Sequence, residues 1–95
     1  MELDFFIRQM QFSGNQAYDL PKITVRVVPA GLSEEERGMA FIELSIRLTT
    51  VHPPETADAI ATLALQEARA LLNESQARDY LQRRMAGLKA YLERP

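Results

Sequence analysis

The stretch VVPAGLSEEERGMAFIELSIRL, residues 27–48, joins two extended runs through a polar insert. In the second run, which we extend over residues 39–51, apolar and polar side chains alternate from Ile42 to Thr49. Such alternation is typical of a strand that packs one face against a core and leaves the other in water. Two strands joined by so short a connection pair most simply as antiparallel neighbours. The stretch therefore predicts an antiparallel hairpin around which the rest of the chain must pack.

The insert between the two strands carries four consecutive charges, Glu34-Glu35-Glu36-Arg37. Ser33 and Glu36 have the spacing of a capping box, in which each side chain bonds to the backbone N–H of the other residue. A site for a divalent metal or a basic partner is the alternative. Hard cations, however, usually draw oxygen ligands from several converging segments. We therefore predict one helical turn inside the connection.

Two more extended runs complete the predicted sheet. KITVRVV, residues 22–28, alternates cleanly and ends at Pro29. LDFFIRQMQF, residues 3–12, favours a strand through its aromatic and β-branched content. Its apolar side chains fall in two registers, Leu3, Phe5 and Ile7 in one, Phe6, Met10 and Phe12 in the other. Between these runs, residues 13–15 predict a turn. Because Pro21 lacks an N–H, residues 16–21 are an edge strand, a loop, or a strand that is bulged at the proline.

After His52-Pro53-Pro54 the period of the sequence becomes helical. Polar residues from Glu55 onward fall at steps of three and four and form one narrow stripe. That stripe is Asp58, Thr62, Gln66, Arg69, Asn73 and Gln76. Because most other residues as far as Leu72 are apolar, we expect a helix that is covered around most of its circumference.

A second helical seam follows over residues 77–92. It consists of Ala77, Leu81, Met85, Leu88 and Leu92. Asn73 and Gln76 have capping-box spacing, and a straight helix of about 40 residues would reach about 60 Å, too long for so small a domain. We therefore predict two helices, or one sharply kinked helix. The fold class is α+β in a single domain, 1–95: a small antiparallel sheet of three to four strands in residues 1–52, with helices from residue 53 packed on one face.

The composition excludes several kinds of chemistry. The 95 residues include no cysteine and one histidine, so disulfides, zinc–thiolate sites and His-pair metal sites are ruled out. No serine stands in a nucleophile elbow, and no glycine pattern resembles a phosphate-binding loop. A pair of carboxylates such as Glu43 with Glu2 or Asp4 is not singled out by its spacing. We therefore predict no enzyme, no catalytic residue, no metal and no cofactor.

The charge and hydropathy of the chain also bear on its surroundings. A net charge of −2 gives no global attraction to nucleic acid or to an anionic membrane. No run approaches the ~18 apolar residues of a membrane span, and the N-terminus does not resemble a secretory signal. We expect a cytoplasmic protein without a membrane partner.

A helix that is apolar on most sides needs more cover than one small sheet provides. Exposed apolar patches of this kind usually mark an interface, and a symmetric dimer is the commonest solution. We expect a homodimer or higher homo-oligomer, formed through the helices or by joining sheet edges. The residues predicted to lie in contact surfaces are Ile60, Leu63, Leu81, Met85, Leu88 and Leu92. The function expected is that of a small protein-binding or assembly protein, such as an adaptor, an inhibitor or a structural component of a larger complex.

The last helix is locally basic, which raises nucleic-acid binding as an alternative. Its cations are Arg78, Arg83, Arg84, Lys89 and Arg94, with Tyr80 and Tyr91 nearby. A solvated helix exterior explains them as well, because cations suit the negative C-terminal end of a helix dipole. We prefer the second interpretation.

The order of the elements resembles the SecB family of export chaperones. FFIRQMQF, DLPKITVRVV and AFIELSIRLTT follow one another as an N-terminal strand, a segment with proline and a strand, and a second long strand, with helices after them. The resemblance covers about half of the chain, lacks the fourth strand of that family and has longer, alanine-rich helices. It implies a chaperone that binds unfolded polypeptides, and it assigns no site residues.

Overall fold

A computed structural model of the chain describes residues 1–11, 21–48 and 56–93. Its elements in order are β1 (Leu3–Gln11), β2 (Lys22–Pro29), α1 (Glu34–Arg37), β3 (Ile42–Arg47), α2 (Ala57–Leu71) and α3 (Glu74–Leu92). The strands form an antiparallel sheet in the order β1-β2-β3. The predicted α+β arrangement, a sheet followed by two helices, is confirmed.

The central strand β2 supplies the middle of the core. Ile23, Val25 and Val27 alternate along it and are fully buried, since β1 and β3 flank the strand. The side chains of α2 cover one end of this row and join Ile23 and Val25 in a single apolar cluster. The alternation read from residues 22–28 is confirmed.

The strand β3 is shorter than the predicted span of residues 39–51. It begins at Ile42 because the backbone N–H groups of Met39 and Ala40 both donate to the carbonyl of Glu36, which keeps this part of the chain in the turn after α1. The strand ends at Arg47. Residues 49–51 lie outside the described residues.

A bulge in β1 corrects the two registers expected for this strand. Ile7 pairs with Val25, but the next pair joins Gln9 to Thr24, so one extra residue is inserted at Arg8. Such an insertion exchanges the two faces of a strand. Met10 is therefore not on the face of Phe6, as the alternation suggested: it pairs with Ile23 and packs against the core cluster.

The helix α2 is less covered than its sequence led us to expect. Only Ile60, Ala64 and Ala68 are buried, and eight of its fifteen residues are exposed. The expectation of cover around most of the circumference is wrong for the single chain. Five of the eight exposed residues are polar, and two more are alanines, whose small side chains need little cover. The only large apolar side chain of α2 that is exposed is Leu71.

The two helices are separated at Leu72 and Asn73, as preferred from the sequence. Leu72 has extended backbone angles, φ −82° and ψ 129°. Asn73 caps α3, since its side-chain oxygen accepts a hydrogen bond from the N–H of Gln76 at 3.1 Å. An extended residue followed by a new N-cap ends the helix without a proline or glycine.

Some expectations fall outside the described residues. They are the turn at residues 13–15, the segment 16–20, Phe12, the His52-Pro53-Pro54 boundary and Arg94.

Replacing Leu81, which is fully buried, tests the packing of α3. We expect Leu81→Ala to lower the free energy of unfolding by about 2–5 kcal/mol, because the lost methyl groups leave a cavity. Leu71→Ala, at a side chain 66% exposed, is the matched control and should change it by less than about 0.5 kcal/mol. Urea unfolding followed by circular dichroism measures both. Equal losses would show that α3 is not anchored at Leu81.

Candidate protein-binding groove

The apolar seam of α3 becomes more exposed to solvent toward the C-terminal end of the helix. At its N-terminal end Ala77 and Leu81 are buried in the body of the protein. Met85 and Leu88 are half-buried, and Leu92, about three turns beyond Leu81, is 66% exposed. The seam is thus continuous in sequence but only its first half is packed.

A groove of about 420 Å³ lies along the uncovered half of this seam. Met85, Leu88 and Leu92 line one wall together with Ala86, Lys89 and Glu93. The opposite wall comes from the connection between β2 and β3 and consists of Leu32, Glu36, Met39 and Ala40. We name this feature the α1–α3 groove. Its long apolar side chains stand on both walls, which is the lining expected of a binding site for an apolar surface.

The wall formed by the β2–β3 connection is held by local hydrogen bonds. Ser33 and Glu36 form the predicted capping box, with the Ser33 hydroxyl accepting from the Glu36 N–H at 3.3 Å and the Glu36 carboxylate accepting from the Ser33 N–H at 3.3 Å. Gly31 precedes this turn with φ 85°, a conformation that favours glycine. The acidic insert is therefore a structural turn, and it places Leu32 and Met39 beside α3.

One contact ties the two walls together. The Nε–H of Arg84 on α3 donates to the carbonyl of Met39 at 3.2 Å. This exposed bond joins the helix, one residue before Met85, to the connection. It links the two elements that form the walls of the groove.

The rim of the groove is acidic on balance. Glu36 and Glu93 line it against a single cation, Lys89. Glu34 and Glu35 extend the negative charge along α1 and are exposed. A partner surface with an apolar centre and cationic flanks would complement this arrangement.

The structure separates the six residues predicted to lie in contact surfaces. Met85, Leu88 and Leu92 come together in the groove. Ile60 and Leu81 are buried inside the chain itself, at 6% and 0% exposure, and Leu63 packs against the core cluster. We retain only the three groove residues as candidates for contact with a partner.

The second wall of the groove was not predicted. Leu32 was assigned to the polar connection, and Met39 was assigned to the start of the second strand. The available signal was their position: each is an apolar residue immediately outside the capped turn and its C-terminal glycine, where a solvated loop would not need one. Which helix they would meet could not be read from that signal.

The arginines of α3 are largely occupied within the chain. The Nε–H of Arg78 donates to the carbonyl of Met1 at 2.9 Å, and its Nη2 bonds to Glu74 at 3.0 Å. The Nε–H of Arg83 donates to the carbonyl of Asp79 at 3.4 Å, and Arg84 bonds to Met39. These contacts favour a structural role for the basic face over a nucleic-acid surface.

The carboxylates considered as an acid–base pair do not meet. Glu43 on β3 bonds to Arg26, whose Nε lies 3.1 Å from the carboxylate, and the guanidinium lies 3.9 Å from the centre of the Phe41 ring. Asp4 on β1 lies 3.8 Å from Arg37. The central strand β2 lies between β1, which carries Asp4, and β3, which carries Glu43. Among residues 1–11, 21–48 and 56–93 no group of three His, Cys, Asp or Glu side chains could hold a metal ion.

Among the described residues, no helix is both long enough and apolar enough to cross a membrane.

Adjacent arginines on α3 provide a test of the contact between the walls. Arg84→Ala removes the bond to the Met39 carbonyl and should lower the free energy of unfolding by about 1 kcal/mol. Arg83→Ala removes a bond within the same helix and should change it by less than about 0.5 kcal/mol. Thermal unfolding of the two variants measures the difference. A larger effect at Arg83 would contradict the assignment of Arg84 as the link.

The chain matches no protein-family model, no curated protein and no solved structure in the comparisons made with each. The resemblance to SecB chaperones therefore stays an expectation based on the order of the elements.

Proposed function

We propose that the chain is a small, non-enzymatic, oligomeric protein-interaction protein, and that its α1–α3 groove receives the apolar face of an amphipathic helix of a protein partner. The observation that carries the proposal is the seam of α3, which continues past the packed body into a groove with apolar side chains on both walls. An adaptor, an inhibitor or a structural component of a larger complex would use such a groove. The cytoplasm is the proposed compartment.

The shape of the groove supports a helical partner. Met85, Leu88 and Leu92 are spaced by three and four residues, so the groove follows the axis of α3 for two turns, about 10 Å. Grooves of this kind are filled by helices that present anchors at the same spacing. A third helix laid between α3 and the β2–β3 connection would complete the packing that Leu81 begins.

The negative charge of the groove rim supports a partner helix that carries cationic residues beside its apolar stripe. Among the described residues that line the groove, Glu36 and Glu93 are acidic and Lys89 is the one cation. Cationic side chains on both sides of the partner's apolar stripe would pair with the acids. Because these pairs are exposed, they select the orientation of the partner more than they add to its affinity.

Two alternative functions involve other ligands. A chaperone of the SecB type would bind unfolded chains with little regard to their sequence. A nucleic-acid binder would use the free faces of the arginines on α3 and would lose affinity steeply with salt. The arginines' bonds to backbone carbonyls and the apolar lining favour a protein ligand.

The defining test uses a synthetic amphipathic helix with a leucine stripe flanked by lysines, and a second peptide with the same stripe flanked by glutamates. Isothermal titration should show tighter binding of the lysine peptide. Leu92→Asp should abolish that binding, because it places a charge in the groove. Leu71→Asp is the matched control, since both leucines are 66% exposed and only Leu92 lines the groove.

The outcomes separate the functional classes. Equal loss in the two leucine variants, or no binding of either peptide, contradicts the groove. Binding of a reduced, unfolded polypeptide in preference to both helices supports the chaperone. Binding of single- or double-stranded nucleic acid that is reduced by Arg83→Ala and unaffected by Leu92→Asp supports the nucleic-acid alternative. Leu88→Asp is less informative, because Leu88 is half-buried and the change also disturbs the fold.

A further inference from the structure

The outer edge of β3 has no strand beside it within the described residues. The N–H of Ala30 donates to the carbonyl of Glu2 at 2.9 Å, which shows that even-numbered residues of β2 bond to β1. Hydrogen bonds alternate along antiparallel strands, so odd-numbered residues of β2 bond to even-numbered residues of β3. The backbone groups of Glu43, Ser45 and Arg47 therefore point outward, with no described strand to pair with.

The sequence of this edge is complementary to itself. Residues 42–48 read I-E-L-S-I-R-L, which places apolar residues symmetrically about Ser45 and opposite charges two residues to either side. In an antiparallel pair of two copies centred on Ser45, Glu43 of each copy lies opposite Arg47 of the other. Ile42 then lies opposite Leu48, and Leu44 opposite Ile46. Centring on either neighbouring residue loses both charge pairs.

The side chain of Arg47 has an unfavourable neighbour inside the chain. It stands directly across the β2–β3 ladder from Lys22, a residue of like charge. Among the salt bridges of the described residues none includes Arg47. A carboxylate on its open side would offset the repulsion, and the paired copy would place Glu43 there.

The apolar side of β3 is also incompletely covered. Ile46 and Leu48 are 2% exposed beneath the cluster that includes α2, whereas Ile42 and Leu44 are only half-buried. The second copy would set its own Leu48 and Ile46 beside them. The other edge strand, β1, is a poorer candidate because its bulge at Arg8 breaks the regular spacing of outward N–H groups.

We propose that a second copy of this chain pairs with the first along β3, antiparallel and about a twofold axis at Ser45. The product is a continuous six-stranded sheet with the helices of both copies on one face. The inference rests on the oligomeric part of the proposed function and needs nothing from the α1–α3 groove. It selects the sheet edge, and not the helices, as the surface that joins the copies.

Charge reversal at Arg47 tests the pairing without harming the fold. Arg47→Glu gives Lys22 an opposite charge within the chain but sets like charges opposite each other twice in the dimer. Sedimentation should show a wild-type dimer and weaker association of the variant, by about tenfold or more. Arg8→Glu is the control: Arg8 is exposed on β1, and both variants change the net charge from −2 to −4.

A mixing experiment shows whether Glu43 of one copy pairs with Arg47 of the other. Glu43→Arg and Arg47→Glu chains should each associate weakly alone and form a heterodimer when mixed, because both pairs are then restored. Amide hydrogen exchange followed by NMR tests the backbone hydrogen bonds between the two copies. The N–H groups of Glu43, Ser45 and Arg47 should be protected in the wild-type dimer and exchange freely in Arg47→Glu, while Leu44 and Ile46 stay protected in both.

Three results would overturn the proposal: a wild-type monomer at high micromolar concentration, a dimer that Arg47→Glu leaves intact, or outward amides that exchange freely in the dimer. Glu43→Arg also removes the pair with Arg26 and can unfold the chain, so the Arg47→Glu and exchange measurements decide if it does. Lysine-peptide binding by a monomeric Arg47→Glu chain would show that the groove stands although the edge contact is lost.

Discussion

The apolar seam of α3 extends beyond the part of the protein that covers it, and the candidate groove lies along the uncovered part. Ala77 and Leu81 anchor the helix in the interior, and the seam then continues at the same spacing to Leu92, where the side chain is 66% exposed. The molecule is correspondingly extended, with a radius of gyration of 15.8 Å against about 12 Å for a compact domain of this length. Leucines at helical spacing stabilise a chain only when something excludes water from them.

The connection between β2 and β3 forms the second wall of the groove beside this seam. A short capped turn would be enough to reverse the chain, yet this one carries Leu32 and Met39 to the flank of α3 and is bonded to it through Arg84. The turn thus supplies half of a candidate site whose other half is a helix about fifty residues away in sequence. The outer edge of β3, which no described strand pairs with, shares no residue with this groove. The proposed self-association and the proposed partner binding would therefore use different groups, and mutation would separate them.

Features of the fold that depend on neighbouring residues in the chain were predicted from the sequence, whereas features that depend on contacts between distant segments were not. Alternation along residues 22–28 and 42–48 identified two strands, and the Ser33 and Asn73 caps placed two helix starts, because these patterns depend on neighbours in the chain. The bulge at Arg8 was missed, since it is stabilised by bringing Met10 onto the core beside Ile23, a contact between strands. The cover of α2 was overestimated, because alanine counts as apolar in a pattern but contributes little area. Three of the five large apolar side chains that are exposed among the described residues lie on α3, and the sequence pattern did not show that the cover of this helix ends after Leu81.

The methionines offer the most direct measurement of the central claim. Met39 and Met85 stand on opposite walls of the groove, while Met10 packs in the sheet core as an internal control. With methyl-labelled methionine, addition of the lysine-flanked helix should shift the NMR signals of Met39 and Met85 together and leave that of Met10 in place. A shift confined to Met10, or unchanged signals from both wall residues in the presence of bound peptide, would contradict the claim that this seam is completed by a partner.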